Sequence, residues 1–118
     1  MAAGPFATWD DVAAFALTLP EAELSSSYGK PAAKVRGKGF VFTGREPDSF
    51  AVSSPLPEKE LLMETDPTTF WESAHYRGWP AVLVRYGSTD RERIETVIAR
   101  AWWDKASKTQ RKAYGERP

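Results

Sequence analysis

The chain has 118 residues, of which 42% are hydrophobic and 27% are charged, a composition typical of one soluble globular domain, which we expect to span residues 1–118. It contains no cysteine, which excludes disulfides, thiolate nucleophiles and cysteine-ligated metals, and its net charge of zero argues mildly against a domain that coats nucleic acid. The N-terminal stretch lacks the features of a secretory signal, and no stretch approaches the roughly 20 apolar residues of a membrane span. We therefore expect a cytoplasmic protein with no membrane partner.

The first half of the chain predicts one helix followed by three strands. The helix begins at Thr8, whose hydroxyl can cap an acidic first turn, and Pro20 ends it. The polar segment "PEAELSSSYGKP" has the serine and glycine content of a loop. The runs "AAKVRG", "GFVFTGR" and "SFAVSS", with turns at "GKG" and "EPD", predict an antiparallel meander.

The second half predicts helices around a buried strand. "PLPEKELLMET" is typical of a helix, and "DPTTFWES" predicts that the helix restarts with Asp66 as its cap and Pro67 at its first position. "AVLVRYG" predicts a buried strand, and a last helix is predicted from about Thr89 to Ala106, followed by a basic tail. The order α-β-β-β-α-β-β-α indicates a two-layer α+β domain, in which an antiparallel sheet carries the first and last helices on one face.

The apolar periodicity also predicts which side chains form the core. Trp103 points about 100° away from the Trp102 stripe of the last helix and is expected to be more exposed. The expected core consists of Trp9, Leu17, Val35, Phe40, Phe42, Phe70, Val82, Val84, Ile94, Val97 and Trp102.

The sequence offers little material for catalysis. His75 is the only histidine, Ser73 lies near it at a spacing that we ascribe to chance, and neither a nucleophile elbow nor a phosphate-binding loop is present. A histidine-based metal site needs at least two imidazoles. We therefore expect no enzyme, no catalytic residue, no cofactor and no metal.

A basic segment is the more informative feature. Residues 30–45 contain several bases and no acid. Because side chains alternate across a strand, Lys34, Arg36 and Lys38 are predicted to share one face, an arrangement that favours an anionic partner. The alternative interpretation is the solvated outer face of a half-buried sheet.

The segment "HYRGWP", residues 75–80, has two interpretations as well. In the structural one, Gly78 takes a left-handed conformation, Pro80 keeps Trp79 extended, and His75 bonds to the backbone. In the functional one, the segment is a projecting wing with Arg77 at its tip to meet phosphate, while Trp79 offers a stacking face.

Three segments of the chain, from about Trp9 to Lys108, together resemble the MmcQ/YjbR family: "LPEAELSSSYGKPAAKVRGKGFVF", "DPTTFWESAHYRGWPAVLVRY" and "ARAWW". The departures from the family pattern are small: Ala22 replaces the usual glycine, Ala33 a common aromatic residue, and Trp79 a common tyrosine. The resemblance implies a CyaY-like or secretion-chaperone-like α+β fold and a "double wing" DNA-binding motif. The first wing would be the basic hairpin, and the second would be residues 75–79.

Two classes of function follow from these observations. The first is weak, phosphate-driven DNA binding, and the residues expected to carry it are Lys34, Arg36, Lys38, Arg45, Arg77 and Trp79. The second is a protein- or small-ligand-binding module without a nucleic-acid role, which includes a homodimer formed through a sheet edge.

Overall fold

The fold is built on a six-stranded sheet. The computed structural model describes residues 4–118; residues 1–3, part of the N-terminal stretch and of the domain expected over 1–118, lie outside the described residues. The helices are α1 (Trp9–Ala16), α2 (Leu56–Thr65), α3 (Arg91–Lys105) and α4 (Lys108–Tyr114). The strands are β1 (Ala22–Ser27), β2 (Lys30–Val35), β3 (Lys38–Thr43), β4 (Ser49–Ser53), β5 (Phe70–Trp71) and β6 (Ala81–Arg85).

The strands lie in the order β1-β2-β3-β4-β6-β5, and every neighbouring pair is antiparallel. Helices α1 and α3 contact each other and pack against the central strands, whose core-facing residues include Val41, Val52 and Val82. The α+β class with an antiparallel sheet is confirmed. We name the sheet face opposite α1 and α3 the outer face.

The start of α1 follows from its capping chemistry. Thr8 is the N-cap, as predicted, and the Asp11 carboxylate accepts hydrogen bonds from the backbone amides of Ala7, at 2.9 Å, and Thr8, at 3.1 Å. These bonds favour the charged carboxylate and lower the pKa of Asp11 below its ordinary value. An acidic residue three positions after the cap therefore fixes where the helix begins.

The core largely matches the prediction. Trp102 is fully buried, its indole donates to the carbonyl of Pro20 at 2.9 Å, and Trp103 is the more exposed of the two, as expected. Leu17 was expected in the core but is 48% exposed, because α1 ends at Ala16 and the chain turns so that Leu19 fills the core. Expected core residues that are buried are Val35, Phe40, Phe70, Val82, Val84, Ile94, Val97 and Trp102, and Trp9 packs against them half-buried.

A β-bulge explains why Phe42 is not in the core as predicted. Gly39 pairs with Lys34 and Val41 pairs with Ala33, which leaves Phe40 as an extra residue in β3. Phe40 and Val41 are both fully buried, so the alternation is reset and Phe42 emerges half-buried on the outer face.

Three further elements differ from the prediction. The expected loop contains β1, a solvent-exposed edge strand whose polar residues are held by pairing with β2. The helix expected to restart at Asp66 is a single turn closed by Asp66 and Thr69, after which Phe70 and Trp71 form β5 against β6. The tail forms a separate helix, α4, which Ser107 caps.

Within residues 4–118, no helix combines the length and the apolar character that crossing a membrane requires.

Candidate functional site

The HYRGWP turn, residues 75–80, is a defined backbone structure. The amide of Trp79 donates to the carbonyl of Tyr76 at 3.0 Å, Arg77 has φ −60° and ψ 126°, and Gly78 has φ 76°. These values describe a type II turn, which requires positive φ at its third residue. The predicted left-handed conformation of Gly78 is confirmed, and Arg77 occupies the exposed tip.

A buried lysine holds this turn from below. Lys59, on α2, is only 1% exposed, and its ammonium donates to the carbonyls of Tyr76 and Trp79, both at 2.8 Å. The Glu72 carboxylate completes the set at 2.8 Å. Because an ammonium has three protons and each one meets an oxygen, the buried charge is fully satisfied. We name these contacts the Lys59 clamp.

Sequence reasoning missed the clamp, because Lys59 lies between Glu58 and Glu60 and the charge pattern does not distinguish it from a solvent-exposed lysine. Glu72 is the acid that pairs with Lys59, and the pair joins α2 to the HYRGWP turn. A lysine at a helix position that faces the protein interior is the signal that identifies such a clamp.

The structural interpretation predicted that His75 bonds to the backbone, but His75 bonds to the side chain of Arg45 instead. Arg45 Nη1 lies 2.9 Å from His75 Nδ1. A guanidinium can only donate, so Nδ1 accepts, and the neutral imidazole carries its proton on Nε2. The imidazole also stacks on the indole of Trp79, with ring centroids 5.8 Å apart and an interplanar angle of 28°.

Tyr76 packs against the same imidazole. Its ring meets His75 edge-to-face at 5.0 Å. Burial raises the pKa of the Tyr76 phenol above its ordinary value and the Glu46 carboxylate adds to this, although a hydrogen bond with the Arg45 backbone opposes it. The hydroxyl therefore stays protonated at neutral pH.

These groups form one wall of a groove on the outer face of the sheet, with a volume of about 780 Å³. Small residues of β3, β4 and β6 contribute to its floor, and we name it the outer-face groove. Its aromatic lining consists of Tyr28, Phe42, His75, Tyr76 and Trp79. Its basic lining consists of Lys30, Arg45 and Lys105.

The first predicted wing is not a continuous basic face. Arg36 lies in the β2–β3 turn with φ 43°, next to Gly37 with φ 79°, as a type I′ turn requires. Lys38 pairs with Val35 and shares its face, whereas Lys34 pairs with Gly39 on the outer face. The prediction that Lys34, Arg36 and Lys38 share one face is therefore wrong, because the turn and the bulge interrupt the alternation.

Arg36 also has an intramolecular partner. Its Nε donates to the carbonyl of Lys105, the last residue of α3, at 2.9 Å. A cation at a helix C-terminus satisfies an otherwise unpaired carbonyl and complements the helix dipole. Arg36 therefore contributes to the structure whether or not it meets a ligand.

The remaining predicted site residues lie close together. Arg45 and Trp79 line the outer-face groove, and Arg77 lies at the tip of the turn that forms its wall. Sequence reasoning missed Lys30, Lys105 and the groove-lining role of Tyr28. Tyr28 and Gly29 form the β1–β2 turn with φ 51° and 77°, and the only local signal of this turn in the sequence is Gly29, since glycine adopts positive φ at no steric cost.

The comparison with family models gives the decisive match. The model described as YjbR matches residues 17–103, which include all six strands of the sheet and the HYRGWP turn. The chain belongs to the YjbR family. The resemblance noted from the sequence motifs is thereby confirmed at the level of the family.

The similar proteins do not supply an activity. Uncharacterized proteins of Mycobacterium tuberculosis and Mycobacterium bovis are each 29% identical to this chain over 117 residues, covering 86% of this chain and 91% of the relative. The crystal structure of the Deinococcus radiodurans protein DR2400, with a DUF419 domain, has a TM-score of 0.72 at 17% identity. It covers 92% of this chain and 88% of its own, and this likeness shows the fold alone.

Proposed function

We propose that this YjbR-family protein binds DNA and that the outer-face groove is the binding surface. The observation that carries the proposal is the composition of the groove. Three cations and five aromatic rings line it, and no Asp or Glu is among the described residues of the lining. In a chain with 16 basic and 16 acidic residues, this is a local separation of charge. Such a surface attracts phosphate and offers rings to bases.

The cations that we expect to contact phosphate are those of the groove rather than those of the basic β2–β3 hairpin. Lys30, Arg45 and Lys105 line the groove, and Arg77 extends its wall. Lys34 lies on the outer face but pairs across the strands with Glu23, which reduces its attraction for phosphate. We therefore assign the main phosphate contacts to the groove cations, with Arg77 at the rim.

The experiment is a salt titration of DNA affinity by fluorescence anisotropy. Counterion release gives a log–log slope of roughly −0.7 to −0.9 for each phosphate contact, so three groove cations predict a slope of about −2 to −3. The double variant Lys30→Gln, Arg45→Gln should flatten the slope to about −1.

The matched control removes two cations from another surface. Lys108 and Lys112 lie exposed on α4, and the variant Lys108→Gln, Lys112→Gln changes the net charge by the same amount. Its slope should equal that of the unmodified protein. Equal flattening by both pairs contradicts the groove assignment, and absence of binding at about 50 mM salt contradicts DNA binding itself.

We further propose that the protein binds without catalysis. Near His75, the only histidine, the groove presents Arg45 and no carboxylate from the described lining, so the orienting acid that a general base uses is missing from this arrangement. The Nδ1 lone pair is already engaged with Arg45.

One observation favours a second function, the binding of a small ligand. The groove volume of about 780 Å³ falls within the roughly 300–1,000 Å³ of small-molecule sites. Light scattering and the salt titration separate the classes. A salt-insensitive dimer, or tight small-molecule binding without DNA binding, supports a protein- or small-ligand-binding module rather than a DNA-binding protein.

A further inference from the structure

The outer-face groove exposes a stacking surface that a base pair cannot use. Trp79 is 56% exposed although its indole stacks on His75. Tyr28 is fully exposed across the groove, and half-buried Phe42 contributes to the lining between them. Bases in a duplex already stack on their neighbours, whereas an unpaired base has a free face for an aromatic side chain.

The stacking surface is held in place before any ligand arrives. The Lys59 clamp fixes the carbonyl of Trp79, and the type II turn fixes the chain before it. Arg45 orients the imidazole beneath the indole. A ring that is already ordered loses little conformational entropy on binding, so more of the stacking energy appears as affinity.

The cations lie in the same groove as the rings. Lys30, Arg45 and Lys105 line it together with Trp79 and Tyr28. In a duplex the phosphates lie outside and the faces of the bases are stacked inside, so a side chain cannot stack on a base face while its neighbours bind the phosphates. In an unpaired strand, one nucleotide presents its base and its phosphate to the same groove.

We propose that the outer-face groove binds an unpaired DNA strand, with one base stacked on the exposed face of Trp79 and the flanking phosphates at the groove cations. This inference rests on the proposed DNA binding and specifies its substrate. The ligand is single-stranded, selected by stacking, and largely independent of base sequence.

The experiment compares three probes at one low salt concentration: an oligothymidylate of about 12 nucleotides, a duplex of the same length, and thymidine monophosphate. The oligothymidylate should bind at least about tenfold more tightly than the duplex. Trp79→Ala should weaken oligothymidylate binding about 5- to 150-fold, as expected for the loss of one stacked base, and change duplex binding less than about twofold.

Two variants control for this loss. Trp79→Phe keeps a ring and should recover most of the affinity. Leu61→Ala removes an exposed apolar side chain, 58% exposed on α2 and outside the groove lining, and should leave the affinity unchanged. The thermal midpoint of each variant shows that it remains folded.

The outcomes separate this inference from the function on which it rests. Equal affinity for duplex and single strand, with Trp79→Ala neutral, overturns the inference and leaves DNA binding intact. Thymidine monophosphate bound as tightly as the oligomer also overturns it, because the site would then take a free nucleotide. No affinity for either DNA overturns the proposed function itself.

Discussion

Replacing Lys59 by methionine removes the ammonium of the Lys59 clamp and keeps a side chain of similar length. The variant leaves the carbonyls of Tyr76 and Trp79 and the Glu72 carboxylate without their 2.8 Å partner. Each carbonyl keeps a second bond, because Tyr76 accepts from the Trp79 amide and Trp79 accepts from the Ala81 amide. The turn is therefore weakened rather than abolished.

The loss in stability follows from these contacts. Each half-satisfied carbonyl costs about 1 kcal/mol, near the lower end for an unmade buried hydrogen bond. The broken ion pair adds about 1 kcal/mol, a modest value because the Glu72 side chain is 26% exposed and recovers water. The free energy of unfolding should fall by about 3 kcal/mol, which lowers the thermal midpoint by about 12 °C or more.

Urea unfolding measures this change, with Lys112→Met as the control because Lys112 is exposed on α4. The control should lie within about 0.5 kcal/mol of the unmodified protein. A double-mutant cycle with Glu72→Gln isolates the ion pair and should give a coupling of about 1 kcal/mol. A loss below about 1 kcal/mol for Lys59→Met would refute the clamp as a stabilising device.

Three further changes test the geometry around the groove. Gly78→Val should cost about 2 kcal/mol and Gly78→Asn less than about 1, because asparagine tolerates positive φ; equal losses in thermal unfolding would contradict the strain argument. Gly39→Ala should cost about 1 kcal/mol, because a Cβ there overlaps the end of the half-buried Phe42 ring, which has to turn out of its rotamer. That loss should shrink in a Phe42→Leu background, and an equal loss in both backgrounds counts against the overlap. His75→Gln should keep the fold and leave DNA affinity within a few-fold, because the glutamine amide oxygen can accept from Arg45 at a cost of about 1 kcal/mol. A loss of DNA affinity above about tenfold would give the imidazole a direct role in binding.

Local signals were sufficient for much of the fold. The hydroxyl before α1 and the acid in its first turn, the apolar stripe of α3 and the apolar run of β6 are each explained by short-range chemistry. β1 was missed because an exposed edge strand shows no alternation of apolar and polar residues; its stability comes from pairing with β2. Local pattern also cannot show a bulge, which depends on the register between β2 and β3.

The candidate site was predictable only in part. The type II turn follows from Gly78 and its neighbours, so the shape of the turn was accessible from the sequence. Lys59 and Lys105 reach the site from helices distant in the chain, and no spacing rule connects them to Trp79. The prediction of a continuous basic face was wrong because Arg36 takes a turn conformation, which the pattern of charges in the sequence does not reveal.

The position of bound DNA on the protein can be measured directly by nuclear magnetic resonance titration of isotope-labelled protein with oligothymidylate. If DNA binds in the outer-face groove, the indole N–H signal of Trp79 and the amide signals of Lys30 and Arg45 should shift together and saturate together. The buried indole of Trp102 and the amide of Lys112 on α4 should stay in place. Shifts confined to α4 or to the β2–β3 turn, with the Trp79 indole unmoved, would contradict the assignment of DNA binding to the outer-face groove.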